Sequence, residues 1–255
     1  MVVYDVAIAT RNSKSRYQII NLLEKLRLNF VVCAPNESVC GSARCIIAMQ
    51  DEYSELSQYQ GHLVLIQNSF DRDTIAISVM TILNDSRNPS SVSIGVDPGM
   101  RYGLALLVDG LFVYSRICSS PRRAADTTKH WSVIINHLFS GVETVIRIGT
   151  GSRLYLTLYL RELESRLPNN LVELVDEHHT TLRGESDTSS AAIIAGRHGE
   201  KLHDFLLTLD PKPGYIRSLK RYVRKSTDES KRITTDDAKA ILSGTLAIDG
   251  FLEKS

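Results

Sequence analysis

Hydrophobic and polar positions follow two different periods in the first 88 residues of the chain. Short apolar runs bounded by polar residues are typical of buried strands, and they occur at Val3–Ala9, Phe30–Ala34 and His62–Gln67. Apolar positions recur at helical spacing in Lys14–Leu28 and Asp71–Asn84. This alternation of strands and helices predicts a small α/β unit.

A polar, turn-rich segment, Asn84–Ser91, follows this unit, and we expect a domain boundary between residues 88 and 89. Beyond it, five strands are predicted, at Val92–Asp97, Gly103–Val108, Leu111–Ile117, Thr144–Ile148 and Leu171–Val175. Helices are predicted at Ala124–Phe139, Arg153–Leu167 and Thr235–Leu252. Three successive strands followed by alternating helices and strands predict an α/β domain with a mixed sheet over residues 89–255, whose later strands are parallel because helices connect them.

Composition adds few constraints. The chain has 255 residues, is 43% hydrophobic and carries a net charge of +1, as ordinary globular proteins do. No apolar run is long enough to span a membrane, and the chain opens with a predicted strand rather than a leader, so a cytoplasmic protein is expected. Cys33, Cys40, Cys45 and Cys118 lack the paired spacing of a zinc site, and we expect reduced, partly buried thiols.

A single carboxylate at a strand end is the most informative chemical feature. Asp97 is the last residue of the predicted strand Val92–Asp97, and Pro98 and Gly99 follow it. Its side chain can therefore emerge at the edge of the sheet, where the glycine lets a metal ion or a phosphate approach the backbone. Taken alone, Asp-Pro-Gly is more simply a turn between two strands.

Two further pairs of acids sit at the ends of predicted elements. Asp176 and Glu177 follow the last predicted strand and point to opposite faces if the strand continues, so only one can join Asp97, and Glu177 has the longer reach. Asp236 and Asp237 open the final predicted helix, where acids also serve as ordinary capping and dipole partners.

These acids together predict a site for Mg²⁺ or Mn²⁺, because gathered carboxylates repel one another unless cations compensate them. The expected ligands, which are also the expected catalytic residues, are Asp97, Glu177 and Asp237, with Asp176 and Asp236 as alternatives. Two such ions, about 3.5 to 4 Å apart, can activate water and stabilise the leaving oxygen of a phosphodiester.

A basic segment precedes the final predicted helix. Residues 212–232 hold eight basic side chains and two acidic ones, with Tyr215 and Tyr222 among them. The cations could neutralise phosphates while the tyrosines stack on bases. A solvated face whose tyrosines pack against the body is an equally good alternative. The candidate nucleic-acid-binding residues are Lys212, Arg217, Lys220, Arg221, Arg224 and Lys225.

Residues 92–252 resemble the RNase H-like superfamily and, within it, the branch that contains RuvC-type Holliday junction resolvases and the YqgF proteins. Ile94–Gly99 is similar to the first-strand signature of both groups, which implies that Asp97 is the first metal-binding carboxylate. Val172–Thr181 is similar to the YqgF stretch in which Asp-Glu-Arg is followed by threonines, which implies that Glu177 is the second.

A third motif also matches the family, and the sequence departs from the family pattern at two positions. Asp236–Leu242 is similar to the final-helix motif, with Asp237 the better match. His178 stands where the YqgF pattern has arginine, and His179 or Arg183 could supply the missing phosphate contact. Arg147 lies in the strand end where a RuvC-type resolvase carries a glutamate.

The resemblance implies an RNase H-like fold and a divalent-metal-dependent nuclease acting on Holliday junction DNA or RNA precursors. It also implies a homodimer, because a resolvase uses two active sites. The two departures favour an alternative, a non-catalytic nucleic-acid-binding or scaffold protein of the same fold. Residues 1–88 resemble a flavodoxin- or receiver-like domain only in outline, and recognition or dimerisation is our working expectation for them.

Overall fold

Two α/β units make up the fold. The computed structural model describes residues 4–56, 59, 61–67, 70–86, 88–168, 170–176, 187–202 and 207–252. The N-terminal unit comprises Met1–Pro89 with His137–Phe139, and the C-terminal unit comprises Ser90–Asn136 with Ser140–Ser255. Each unit is built around its own sheet.

The N-terminal unit contains a parallel sheet. Its strands are β1 (Tyr4–Ala9), β2 (Phe30–Cys33), β3 (Ala43–Met49) and β4 (His62–Ile66). Its helices are α1 (Ser13–Lys25) and α2 (Arg72–Leu83), and short 3-10 segments span Ser38–Ser42 and Gln50–Leu56. The strands are parallel throughout, in the order β2-β1-β3-β4, which confirms the predicted flavodoxin- or receiver-like α/β unit; the order itself was not predicted.

Strand β3 was not predicted, although it is central and pairs with both β1 and β4. Its inner residues are fully buried, so it shows no alternation of apolar and polar positions. Only Ile46 and Ile47 in this strand are strong strand formers. A buried parallel strand with this composition leaves little periodic signal.

The expectation of four reduced thiols was wrong for two cysteines. Cys33 and Cys40 form a disulfide, with their Cα atoms 5.9 Å apart. Strand β2 ends at Cys33, and the turn that follows leads into the 3-10 segment carrying Cys40. Cys45 and Cys118 are free and buried, and burial raises the pKa of Cys45 to about 12.

The C-terminal unit contains the mixed sheet. Its strands are β5 (Val92–Pro98), β6 (Tyr102–Val108), β7 (Leu111–Cys118), β8 (Thr144–Gly149), β9 (Leu171–Val175) and β10 (Glu200–Lys201). Its helices are α3 (Pro121–Leu138), α4 (Arg153–Glu164), α5 (Asp187–Gly196), α6 (Pro213–Ser226), α7 (Thr235–Ser243) and α8 (Asp249–Leu252). Among the described residues the order is β10-β9-β8-β5-β6-β7; β5, β6 and β7 form an antiparallel meander, and β8 and β9 run parallel to β5. This arrangement confirms the predicted RNase H-like mixed sheet.

Helices cover both faces of this sheet. One face carries α3 and α4: Tyr102 of β6 contacts the rings of Tyr155 and Tyr159, and Tyr114 of β7 contacts Trp131 of α3. The other face carries α5, whose alanines pack against β6.

The final helix differs from its prediction in extent and in position. It is divided into α7 and α8, because Gly244 adopts φ +84° and ends α7 in the left-handed conformation. α7 packs with α4 and α6 rather than closing over the sheet, and α5, which was not predicted, covers the face opposite α4. None of the described helices combines the length and apolarity needed to cross a bilayer.

Candidate active site

Asp97 lies at the sheet edge toward which three neighbouring strands run. The register aligns Val96 of β5 with Ile148 of β8, and β8 in turn pairs in parallel with β9. Asp97 therefore stands level with the last residues of β8 and β9, Gly149 and Val175. The carboxyl ends of parallel strands are where α/β sheets commonly present functional groups.

The side chain of Asp97 belongs to the face that α5 covers. A Cβ placed on Gly95 would lie 2.1 Å from the carbonyl oxygen of Ala191 in α5, so Gly95 faces that helix. Strand alternation puts Asp97, two residues on, on the same face. Asp97 pairs directly with Gly103 of β6, and a Cβ on Gly103 would lie 2.0 Å from the carbonyl oxygen of Asp187. The two glycines thus let the backbone of α5 pack directly on the sheet. Asp187, the first residue of α5, lies over Gly103, which pairs with Asp97.

Asp187 is an acid that the sequence reasoning missed. Its Oδ2 lies 3.1 Å from Nη2 of Arg101, in the turn between β5 and β6. Among the described residues this oxygen is enclosed and accepts no well-aligned hydrogen bond, so the ion pair with the exposed guanidinium is its compensation. The available signal was the sequence Asp-Thr-Ser-Ser-Ala-Ala-Ile-Ile-Ala, in which an acid precedes small residues suited to close packing on glycines.

The second predicted acid falls where the described residues stop. Positions 173 and 175 of β9 share the face of Gly95 through the register with β8. Because side chains alternate along a strand, Asp176, the next residue, does not belong to the face that carries Asp97. Glu177 and Arg183 lie outside the described residues, as does His178.

The helix that carries the third predicted acids lies in a different layer from α5. α7 belongs to a cluster with α4 and α6 that includes Leu154, Leu219 and Ile241. The tyrosines of α4 contact Tyr102, which faces away from α5 because it neighbours Gly103 in β6. Asp236 and Asp237 therefore begin a helix that packs on the α4 side of the sheet.

Asp237 has a local structural task at the start of α7. Its Oδ2 accepts hydrogen bonds from the backbone N–H of Thr234, at 2.9 Å, and from the Thr234 hydroxyl, at 2.7 Å. The Thr234 hydroxyl in turn accepts from the Asp237 amide, which completes a capping box. These bonds, together with the charge of Lys220, hold the pKa of Asp237 below its ordinary value. Asp236 is exposed and lies 3.2 Å from the ammonium of Lys239. Metal binding by Asp237 or Asp236 stays a prediction.

Arg147 forms a buried polar network on the α5 face. Its guanidinium donates to Oε2 of Glu173 at 2.9 Å and to the carbonyl of Ala195 at 2.6 Å, and its Nη2 lies 3.2 Å from Nδ1 of His198. Burial alone raises the pKa of Glu173, but the hydrogen bonds from Arg147 and from the Gly199 amide outweigh it and lower that pKa below its usual value. Arg147 thus ties the C-terminal end of α5 to the two parallel strands beneath it.

Most of the basic segment forms α6, which was not predicted as a helix. Arg217, Arg221, Arg224 and Lys225 are exposed, and Lys212 is the exposed N-cap residue. Lys220 is half-buried and donates to the Thr235 hydroxyl at 2.8 Å. Tyr222 is fully buried and Tyr215 packs against the same core, so base stacking by Tyr222 was wrong and the alternative, tyrosines that pack against the body, is confirmed.

Asp97 and Asp187 are therefore two acids that the structure brings to one edge of the sheet, on the face that α5 covers. No group of three or more His, Cys, Asp or Glu side chains is arranged to hold a metal ion within the described residues. The donor set nevertheless suits Mg²⁺ or Mn²⁺, which take carboxylate oxygens, and a cation at the enclosed Asp187 Oδ2 would take the place of the Arg101 guanidinium.

No protein-family model matches the chain, and no curated protein matches it. Among solved structures it is similar to Marinitoga piezophila Argonaute in complex with 5′ OH guide RNA, at 10% identity and a TM-score of 0.26, covering 67% of this chain and 39% of that one. It is also similar to the type II variant of the Aquifex aeolicus Ppx/GppA phosphatase, at 12% identity and a TM-score of 0.17, covering 95% of this chain and 76% of that one. A second Aquifex aeolicus PPX-GPPA structure matches at 10% identity and a TM-score of 0.16, with the same coverage. Similarity this low supports no conclusion about function.

Proposed function

We propose that this protein is a divalent-metal-dependent nuclease that hydrolyses phosphodiester bonds in structured nucleic acid. The observation that carries the proposal is the convergence of Asp97 and Asp187 at one edge of an RNase H-like sheet. A local turn or helix cap does not by itself explain why the two acids meet. The close contacts of Gly95 and Gly103 with α5 bring their two elements together. The resemblance of Ile94–Gly99 to the RuvC and YqgF signature supports the same chemistry.

Asp97, Asp187 and Glu177 are the proposed metal ligands, with Asp176 as the alternative to Glu177. Asp187 replaces Asp237 in this set, since Asp237 is engaged by Thr234 and begins a helix on the other face. Carboxylates held at one edge favour a hard cation because it relieves their mutual repulsion. When bound, Mg²⁺ or Mn²⁺ supplies an activated water and stabilises the leaving oxygen of the phosphodiester.

Junction DNA is the first substrate to test, and RNA precursors are the second. The RuvC resemblance supports the former and the YqgF resemblance the latter. Symmetric cutting of a four-way junction needs two active sites, so a homodimer belongs to the junction version of the proposal.

A non-catalytic nucleic-acid-binding or scaffold protein is the second candidate, and two contacts favour it. Arg101 already compensates the charge of Asp187, which weakens the local demand for a metal ion. Arg147, paired with Glu173, occupies the strand where a resolvase carries an acid. Binding without cleavage is the behaviour that this candidate predicts.

Cleavage by single-acid variants tests the proposal. Wild-type protein, Asp97→Asn and Asp187→Asn are incubated with labelled junction, duplex, single-stranded DNA and RNA, in Mg²⁺, Mn²⁺ or chelator. Each substitution should lower the cleavage rate by more than about a hundredfold, because even residues that only support a metal ligand contribute roughly ten- to a hundredfold. Wild-type protein that binds these substrates but never cuts them would favour the scaffold.

Asp237→Asn is the matched control. It removes one carboxylate from the capping box and should lower stability by about 1 kcal/mol or less while leaving the cleavage rate nearly unchanged. Loss of cleavage in Asp237→Asn with full activity in Asp187→Asn would reverse our choice of the third acid.

A further inference from the structure

One face of α6 carries a row of exposed cations. Arg217, Arg221 and Lys225 follow one another at intervals of four residues, and Arg224 lies beside them. Such residues share one side of a helix, and at 1.5 Å per residue the row extends over about 12 Å. The opposite side of α6 is buried, through Leu219, Tyr222 and Val223.

Few described side chains of the protein compensate these charges. Within the described part of the chain, Arg217, Arg221 and Lys225 have no carboxylate partner, and Arg224 approaches Glu229 only to 3.8 Å. Lys220, by contrast, is turned toward the start of α7. A row of exposed cations on one side of a helix is electrostatically suited to a polyanion.

α6 is anchored near the edge that carries Asp97. Helix α4 begins just after β8 ends at that edge, and Leu154 and Leu158 of its first turns pack against α6. Met100, in the turn after β5, packs against the same cluster. A polyanion bound along α6 would thus lie near the same end of the C-terminal unit as the candidate acids, on the α4 side of its sheet.

We propose that this face of α6 binds the sugar-phosphate backbone of double-stranded nucleic acid. Double-stranded nucleic acid is then the substrate class of the nuclease, and this role of the surface rests on the proposed function. The fully buried Tyr222 offers no platform for an unstacked base, and Tyr215 packs against the core. Recognition is therefore by phosphate charge, which a duplex presents at higher linear density than a single strand.

The salt dependence of binding measures the number of phosphates contacted. Affinity for a labelled duplex is determined over a range of salt concentrations in chelator, where no cutting occurs, for wild type and for Arg217→Gln/Arg221→Gln. Each neutralised phosphate contributes about 0.9 to the slope of log affinity against log salt, so the double variant should lose about 2 from that slope. When the salt concentration rises from 50 to 200 mM, the factor by which its affinity falls should then be about ten times smaller than the factor for wild type.

Arg123→Gln/Lys129→Gln is the matched control, because it removes two exposed cations from α3 in the same unit and should leave the slope unchanged. Equal slopes for wild type and the α6 variant would overturn the proposal. Tighter binding of a single strand than of a duplex of equal length would overturn it too, since that preference requires stacking. Equal affinity for polyglutamate and duplex would identify a general polyanion surface instead of a nucleic-acid site.

The outcome is independent of catalysis. If Asp97→Asn and wild type both fail to cut while the α6 variant lowers the salt slope, the nuclease proposal fails and the backbone-binding surface stands. If cutting depends on Asp97 and the slope does not depend on α6, the nuclease stands and the substrate is held elsewhere.

Discussion

Two glycines determine how close helix α5 comes to the sheet. A Cβ on Gly95 would meet three atoms of α5 at 2.7 Å or less: the Ala191 carbonyl oxygen, and the amide nitrogen and Cβ of Ala195. Two of these atoms belong to the backbone, so they cannot move aside without the helix. The position of Asp187 beside Asp97 therefore depends on residues that have no side chain.

Gly95→Ala should lower the free energy of unfolding by about 3 kcal/mol, the upper part of the range for an overfilled core, because α5 must shift to admit the methyl group. Urea unfolding measures the change. Any folded protein should also cut more slowly, since Asp187 moves with its helix.

Gly214→Ala is the control for this substitution. Nothing lies within 4 Å of a Cβ at Gly214, near the start of α6, and the change should be neutral or stabilising by up to about 1 kcal/mol through helix propensity. An equal effect at both positions would refute the close-contact explanation.

At the scale of elements, α5 is held at both ends by charge. Arg101 contacts its first residue, and Arg147 donates to the carbonyl of Ala195 near its last. The Arg147–Glu173 pair is well buried, with side chains 12% and 11% exposed, whereas the Arg101 side chain is 65% exposed. The C-terminal end of α5 is therefore the better fixed of the two.

Glu173→Gln should lower the free energy of unfolding near pH 7 by roughly 1.5 to 3 kcal/mol, the usual contribution of a hydrogen bond to a charged group. The pKa of Glu173 lies below its ordinary value of 4.5, so its contribution is present above that pH and is lost as the pH falls through the lower, folded-state pKa. The difference between wild type and variant should therefore shrink below about pH 4.5.

Calorimetry across this pH range measures the difference. Glu200→Gln, which changes an exposed glutamate in β10, should show no such pH-dependent gap. A gap that widens in acid would mean that Glu173 is not the group responsible.

The elements that the sequence predicted correctly are those with strong local signals. The meander of β5, β6 and β7 follows from apolar runs broken by Asp-Pro-Gly and Asp-Gly turns. Helix α5 was missed because the part of it that lies on the sheet is built from alanine. The burial of Ala191 and Ala195 is explained only by their packing close to Gly95, nearly a hundred residues earlier in the chain. Asp97 could be predicted from its own neighbours, whereas its partner Asp187 could not.

At the scale of the whole molecule, the two units differ in covalent chemistry. The disulfide between Cys33 and Cys40 lies in the N-terminal unit, and the C-terminal unit holds only the free, buried Cys118 among its residues. Closing so short a loop stabilises a folded unit by about 2 to 3 kcal/mol in the chain-entropy account.

Cys33→Ser/Cys40→Ser should therefore lower the unfolding temperature of the N-terminal unit and leave that of the C-terminal unit unchanged. Differential scanning calorimetry resolves the two transitions. Alkylation of unfolded wild type without reductant should modify Cys45 and Cys118 only, and modification of all four cysteines would show that the disulfide is absent.

The ring contact between Trp131 and Tyr114 has an optical consequence. Trp131 is the only tryptophan in the chain, it is fully buried, and its ring centroid lies 5.5 Å from that of Tyr114. Both residues belong to the C-terminal unit. Intrinsic tryptophan fluorescence therefore reports the opening of that unit alone, while far-ultraviolet circular dichroism sums over both. Comparing the two signals in one denaturant titration reveals which half of the chain unfolds first, without a label or a substitution.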